Sequence, residues 1–155
     1  MTKPPTYFGV ISFEDTPSYE DCSRWLRAIH KRNKYHDETY QYYTQVELGG
    51  AGNFHIHFLP ITALTQNNLR ESVKRVVTVN TDVYLKPCAN PQATARYISK
   101  DMKGYAGVSF PRAWKGRGRR LTCCSRGFLS ASRAALSAQS IKRFAEKREC
   151  SSEFC

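Results

Sequence analysis

Two histidines separated by a single residue place the strongest constraint on the fold of this chain. They lie between Gly52 and Pro60, where they alternate with bulky apolar residues. Successive side chains of a β-strand point to opposite faces, so His55 and His57 would share one face. The other face would have Phe54, Ile56 and Phe58. A helix would turn the two imidazoles about 200° apart, so the strand is the geometry that lets them bind one metal ion. The alternative is two solvated histidines on the polar face of the strand.

The segment before the histidines supplies a carboxylate. Residues 41–47 are typical of a strand, and residues 48–53 contain the glycines of a flexible turn that returns the chain antiparallel. Such a hairpin places Glu47 beside His55 and His57. Two neutral imidazoles and one carboxylate leave coordination positions open for water or a phosphate oxygen, as a catalytic divalent-metal site requires.

A helix is predicted over residues 90–102, with Asn90 as its N-cap and Pro91 at its first position. Its buried stripe is predicted to be Ala95, Ile98 and Met102. Tyr97, Lys100 and Asp101 are three and four residues apart on the neighbouring face. The helix therefore presents a tyrosine, a lysine and an acid together. Without the histidine strand, an ordinary tyrosine beside the core would be the preferred interpretation.

Three motifs together resemble the HUH endonuclease superfamily, and within it the small rolling-circle replication initiators (Rep proteins) of single-stranded-DNA viruses, phages and plasmids. The first is the apolar strand at residues 7–13, and the second is His55-Ile56-His57. The third is Tyr97-Ile98-Ser99-Lys100, which is similar to the nucleophile motif Tyr-x-x-Lys. Glu47 lies where viral Rep proteins have their third metal ligand. The resemblance covers roughly residues 5–105, and the joint occurrence of the motifs is more specific than any one of them.

The resemblance implies an activity. Tyr97 would attack a phosphodiester of single-stranded origin DNA, forming a 5′-phosphotyrosine and a free 3′-hydroxyl, with later rejoining. Mg²⁺ or Mn²⁺ would be bound by Glu47, His55 and His57. Lys100 would steady the phosphotyrosine or the leaving oxygen, and Asp101 the metal or an attacking water. Because Asp101 stands where some phage initiators have a second tyrosine, the chain is interpreted as a single-tyrosine enzyme.

The predicted order of elements is strand, helix, two strands, helix, strand and the tyrosine helix. This order indicates an α+β fold, a ferredoxin-like antiparallel sheet (the HUH endonuclease fold) with helices packed on one face. We predict that the first helix has Thr16 as N-cap, Pro17 at its first position and an end near Asn33. Thr65 is predicted to cap a second helix that ends near Val76. A fifth strand is expected within residues 121–128.

The length of 155 residues indicates one domain over residues 1–150 and a short tail at 151–155. The core would span about 5–105, and residues 106–148 would form a basic loop and a C-terminal helix. No phosphate-binding loop sequence occurs, so a helicase domain is not expected. A host or separate helicase and a polymerase are therefore expected partners.

The formal net charge of +11 favours a nucleic acid partner over a membrane surface. The basic loop contributes Arg112, Lys115, Arg117, Arg119 and Arg120. These residues would track a phosphate backbone, or they belong to a solvated loop, and both interpretations stay open. The tyrosines at 40, 42 and 43 are expected next to the metal, with Tyr42 stacking on bases. Half-buried strand tyrosines are the equal alternative.

Neither a long apolar run nor a signal sequence is present, so an intracellular protein is expected, in the cytoplasm of a bacterial or archaeal host or in the nucleus if a eukaryotic virus is the source. The six cysteines form no Cys-x-x-Cys pair and are interpreted as reduced thiols, with Cys22 in the core. His30 and His36 are expected at the surface. An HUH transposase, a relaxase-like strand transferase and a non-catalytic nucleic-acid-binding module remain alternatives, and the oligomeric state is left open.

Overall fold

The described part of the chain forms one antiparallel sheet and three helices. The structure, a computed structural model, describes residues 4–48, 53–104, 114, 122–125 and 128, with the backbone alone for 99–104. The strands are β1 (Tyr7–Phe13), β2 (Gln41–Leu48), β3 (Phe54–Ile61), β4 (Thr81–Pro87) and β5 (Thr122–Cys124). The helices are α1 (Tyr19–His36), α2 (Gln66–Val76) and α3 (Pro91–Gly104). Within these residues, no helix is long and apolar enough to cross a membrane.

The order of strands across the sheet is β4-β1-β3-β2-β5, and each neighbouring pair is antiparallel. The first four strands, with α1 and α2 as crossovers, have the arrangement of a ferredoxin-like sheet. This confirms the predicted α+β class and the predicted fifth strand, although β5 is only three residues long. The histidine strand β3 is central, so it pairs on both sides and its backbone is held rigidly.

The two faces of the sheet are covered by different helices. On one face, Trp25 of α1 and Val73 of α2 share a cluster with Ile56 of β3. On the other face, Ala95 and Ile98 of α3 pack in a second cluster. Its sheet members include Phe8, Tyr43, Leu59 and Ile61. The prediction that the helices pack on one face is therefore wrong. Successive strand residues point to opposite faces, so the sheet has a second set of apolar side chains on its other face. Helix α3 packs on this second set.

The start of α1 differs from the prediction. Ser18, and not Thr16, is the N-cap: its hydroxyl accepts a hydrogen bond from the backbone N–H of Asp21 at 3.1 Å. Pro17 lies before the helix, where its carbonyl accepts from Trp114 Nε1 at 2.9 Å. The helix continues to His36, three residues beyond the predicted end.

The other two helix starts are confirmed. Thr65 caps α2 and exchanges hydrogen bonds with Asn68 in a capping box. Asn90 caps α3, since its Oδ1 accepts from the backbone N–H of Ala93 at 2.9 Å. Pro91 is the first residue of α3, as expected from its fixed φ.

Two ring side chains that the sequence did not assign to the core, His30 and Trp114, are buried. His30 lies under Tyr42, with ring centroids 3.4 Å apart, and its Nδ1 lies 2.8 Å from the hydroxyl of Tyr40. The prediction of a surface His30 is therefore wrong, whereas His36 is exposed as expected. Trp114, predicted to lie in the basic loop, is buried against Phe54. Cys22 is buried as predicted, and burial raises the pKa of its thiol to about 12.

Candidate metal and nucleophile site

The β2–β3 pairing places the predicted carboxylate and histidines on one face of the sheet. Glu47 is directly opposite His55, and Gln45 is opposite His57. Nε2 of His57 donates a hydrogen bond to Oε2 of Glu47. The side chain of His57 is only 3% exposed and that of Glu47 is 18% exposed. Solvated histidines are thus the wrong interpretation for His57, because it is buried beside a carboxylate.

The imidazole of His55 has the chemistry of a third metal ligand. However, the side chains of Glu47, His55 and His57 are not arranged around one common point. His55 is partly buried on the same face as His57, and the Nδ1 atoms of both rings are buried without a hydrogen-bond partner among the described residues. In that same part of the chain, no three histidine, cysteine, aspartate or glutamate side chains form a group that could hold a metal ion. The preformed part of the predicted site is therefore the pair Glu47 and His57. Two imidazoles and a carboxylate suit a divalent ion, and an ion would have to take the place of the contact within this pair.

Tyr97 lies beside His57 because α3 packs on the same face of the sheet. Its ring centroid is 5.9 Å from that of His57, with an interplanar angle of 84°. It is also 6.0 Å from the ring of Phe8, again edge to face, and Phe8 is stacked with His57 at 5.9 Å. Tyr97 remains 52% exposed. The structure thus brings together two residues that are 40 positions apart in sequence, and leaves the tyrosine accessible to a large substrate.

Gln45 is a residue of this region that the sequence analysis missed. It is buried, and its Oε1 accepts from the hydroxyl of Tyr43 at 2.9 Å. Its Nε2 lies 3.5 Å from the carbonyl oxygen of Ile98, the residue after Tyr97 in α3. Gln45 therefore connects the strand beside His57 to the helical turn that has Tyr97. The sequence does contain a signal for Gln45: it is two residues before Glu47 in β2, so the two side chains share a face of the sheet.

Tyr42 is not next to the predicted metal site. Tyr40 and Tyr42 lie on the α1 and α2 side of the sheet, where both pack with His30. Burial raises the pKa of Tyr42 to about 12. The prediction that the tyrosine cluster adjoins the metal is therefore wrong for these two residues. Tyr43 alone of the three is on the histidine face, because it is an even number of positions from Glu47.

Several predicted site residues have no described side chain. For Lys100 and Asp101 the backbone is helical, within α3. The basic residues of the predicted DNA-binding loop lie outside the described residues: Arg112, Lys115, Arg117, Arg119 and Arg120. Their roles stay predictions.

No protein-family model matches this chain, and no curated protein sequence has a significant match to it. Among solved structures, the fold is similar to the crystal structure of the hypothetical protein ORF119 from Sulfolobus islandicus rod-shaped virus 1, with a TM-score of 0.51. The sequence identity is 16%, and the match covers 69% of this chain and 88% of that chain. At this level of identity, the similarity shows a shared fold alone.

Proposed function

We propose that this protein is a single-tyrosine HUH endonuclease and strand transferase, a replication initiator that nicks single-stranded origin DNA in rolling-circle replication. One observation supports this above all: the ring of Tyr97 lies 5.9 Å from that of His57, which itself contacts Glu47. A buried imidazole and a partly buried carboxylate beside an accessible tyrosine form a constellation suited to nucleophilic attack on a phosphodiester.

The reaction is a phosphoryl transfer to Tyr97. The phenolic oxygen attacks the phosphorus, and a bond forms between the two as the bond to the 3′-oxygen breaks. The proton lost from the tyrosine is balanced by the proton gained on the 3′-hydroxyl. The 5′-phosphate stays on Tyr97, and attack of a 3′-hydroxyl on this phosphotyrosine rejoins a strand. The contacts of Tyr97 with His57 and Phe8 restrict its ring, so the hydroxyl is positioned before DNA arrives.

Glu47, His55 and His57 are the residues that would hold Mg²⁺ or Mn²⁺. When bound, such an ion withdraws charge from the phosphate oxygens and stabilises the negative transition state. Lys100 and Asp101 follow Tyr97 by three and four residues, so both lie within one helical turn of it. We assign Lys100 to the charge of the phosphotyrosine or leaving oxygen, and Asp101 to the metal or a water.

The expected partners follow from the net charge of the chain and from the replication steps that must come after nicking. A net charge of +11 suits a polyanion, and a nicked strand must still be unwound and extended. We therefore infer that single-stranded origin DNA is the substrate and that a host or separate helicase and polymerase act with it. The setting is a cell's interior, either bacterial or archaeal cytoplasm or the nucleus of a eukaryotic host.

The proposal is tested by trapping the covalent intermediate. The protein is incubated with Mn²⁺ and a random-sequence library of single-stranded DNA, and adducts are isolated under denaturing conditions. Mass spectrometry should place the nucleotide on the peptide that contains Tyr97, and sequencing the trapped 5′ end should give the preferred site. Tyr97→Phe should give no adduct, because it removes only the attacking hydroxyl.

The matched control is Tyr35→Phe, since Tyr35 is an exposed tyrosine on α1, at the opposite side of the sheet. This variant should form adduct at the wild-type rate. An adduct that persists in Tyr97→Phe would assign the nucleophile elsewhere. Binding without any adduct in the wild-type protein would favour the non-catalytic nucleic-acid-binding module.

A further inference from the structure

Tyr84 is an exposed aromatic side chain on the face of the sheet that has the histidines. It is 53% exposed, although its neighbour Leu85 is buried on the opposite face. Tyr84 pairs with Val10 of β1, and Val10 pairs in turn with His57 of β3. Tyr84, Val10 and His57 therefore form one row across three strands. Two strand spacings separate the backbones of Tyr84 and His57 by about 10 Å.

The row is flanked by opposite charges along β4. Lys86 pairs with Phe8, and its Nζ lies 5.6 Å from the centre of the Phe8 ring, which is stacked with His57. Asp82 lies two residues to the other side of Tyr84, paired with Ser12 and exposed. A phosphate is attracted at the Lys86 end of this strand and repelled at the Asp82 end. A polyanion that crossed this face beside Tyr97 would therefore be favoured at the Lys86 end of β4.

We propose that Tyr84 is a stacking platform for the base of a nucleotide next to the phosphate that Tyr97 attacks, and that Lys86 contacts a neighbouring backbone phosphate. This inference rests on the proposed function. A separation of about two strand spacings is within the reach of one extended nucleotide. An exposed ring with a lysine two residues away suits an unpaired base and its phosphate, because every base has a π-face and every nucleotide a negative charge. The platform selects single strands, since the faces of paired bases are covered by their stacked neighbours.

The test measures binding separately from cleavage. The affinity for oligo(dT) is measured by fluorescence anisotropy in the Tyr97→Phe protein, so that no covalent step contributes. Adding Tyr84→Ala should weaken binding about 5- to 150-fold, the range for losing one stacked base. Tyr84→Phe should bind as the parent does, because it keeps the ring. Lys86→Gln should flatten the slope of log K against log salt by about 0.7.

Tyr35→Ala is the control, because it removes an exposed ring on the other side of the sheet, and that ring is more exposed than Tyr84, at 84% against 53%. It should leave affinity unchanged, and thermal melting should show that each variant folds. An unchanged affinity in Tyr84→Ala, or equal losses in Tyr84→Phe and Tyr84→Ala, would overturn the platform. So would an equal loss on duplex DNA. Any of these results leaves the trapped adduct on Tyr97, and with it the proposed function, to be decided by its own assay.

Discussion

The two faces of β3 show how one strand serves both stability and chemistry. Phe54, Ile56 and Phe58 face α1 and α2, where they pack among apolar side chains. His55 and His57 alternate with them and face α3, among Glu47, Gln45 and Tyr97. On β3 the first face is entirely apolar, whereas the second has two histidines, and Nδ1 of each is buried without a hydrogen-bond partner among the described residues. A buried atom without a partner also occurs on the α1 side, at Nε2 of His30, so what distinguishes the α3 side is that its buried histidine lies beside a carboxylate and a tyrosine.

His30 and His57 sharpen this comparison, because both are buried and lie on opposite faces. His30 is enclosed by aromatic rings, and burial lowers its pKa to about 3. Its described partner is the hydroxyl of Tyr40. His57 instead has a carboxylate partner in Glu47 and an accessible tyrosine at its edge. A buried histidine is therefore informative about function only together with its neighbours.

The largest expected effect is a difference in adduct formation between substitutions at two adjacent residues of β3, His57 and Ile56. His57→Ala should abolish adduct formation, because it removes a proposed metal ligand. Ile56→Ala should instead lower the free energy of unfolding by about 2–5 kcal/mol through the cavity it leaves. Its adduct rate per folded molecule should stay near that of the wild type. Unfolding is followed by tryptophan fluorescence, since Trp25 and Trp114 are both in the core that contains Ile56.

Chelation with EDTA should reproduce the loss expected for His57→Ala, and added Mn²⁺ should restore activity to the wild type only. Glu47→Gln should bind Mn²⁺ more weakly without losing it completely, since an amide oxygen still coordinates but has no charge. Full activity in EDTA would remove the metal from the proposal.

If Ile56→Ala does not fold, Ile56→Val makes the same comparison with His57→Ala, because it leaves a smaller cavity.

A smaller effect is expected at Gln45, whose described side-chain hydrogen bonds go to Tyr43 and to α3 and not to a proposed metal ligand. Gln45→Leu removes the hydrogen bonds to Tyr43 and to the carbonyl of Ile98, so α3 can shift relative to His57. We expect the maximal rate of adduct formation to fall about 10- to 100-fold at saturating DNA, with DNA affinity unchanged. Gln45→Glu, which keeps an acceptor for Tyr43, should lose less. A fall in affinity at an unchanged maximal rate would contradict a positioning role.

The pH dependence of stability should depend on His30. Its pKa is about 3 in the folded protein and 6.5 ordinarily, so below pH 6.5 the unfolded chain binds a proton that the folded chain does not. Stability therefore falls as the pH drops through this window, by about 2 kcal/mol between pH 6.5 and 5. Urea unfolding at pH 7 and pH 5 measures the loss. His30→Phe should lack this contribution, while His36→Gln, on the exposed end of α1, should keep it.

The smallest effect concerns the basic loop outside the described residues. Replacing Arg117, Arg119 and Arg120 by alanine should weaken single-stranded DNA binding and flatten the slope of log K against log salt by up to about 2. The rate of adduct formation at saturating DNA should survive, because the triple variant leaves both faces of β3 intact. An unchanged slope would assign these arginines to solvent. A lost maximal rate would place the loop in the active site.

The sequence by itself determined the features that depend on neighbouring residues. The period of two in β3 fixed which side chains share a face with His57, and the caps at Thr65 and Asn90 fixed two helix starts, because each depends on contacts within a few residues. The order of elements was enough for the ferredoxin-like topology. The hairpin between β2 and β3 likewise placed Glu47 opposite His55, since short turns fix the register.

The tertiary structure decided which surface each element covers. Local periodicity gives a helix an apolar stripe but does not say which of two apolar sheet faces will receive it, so the position of α3 opposite α1 did not follow from periodicity. The burial of His30 and Trp114, and the link from Gln45 to Ile98, depend in the same way on partners distant in sequence. The proximity of Tyr97 to His57 was expected from the family resemblance. Its geometry exists only because long-range packing brings α3 onto the histidine face.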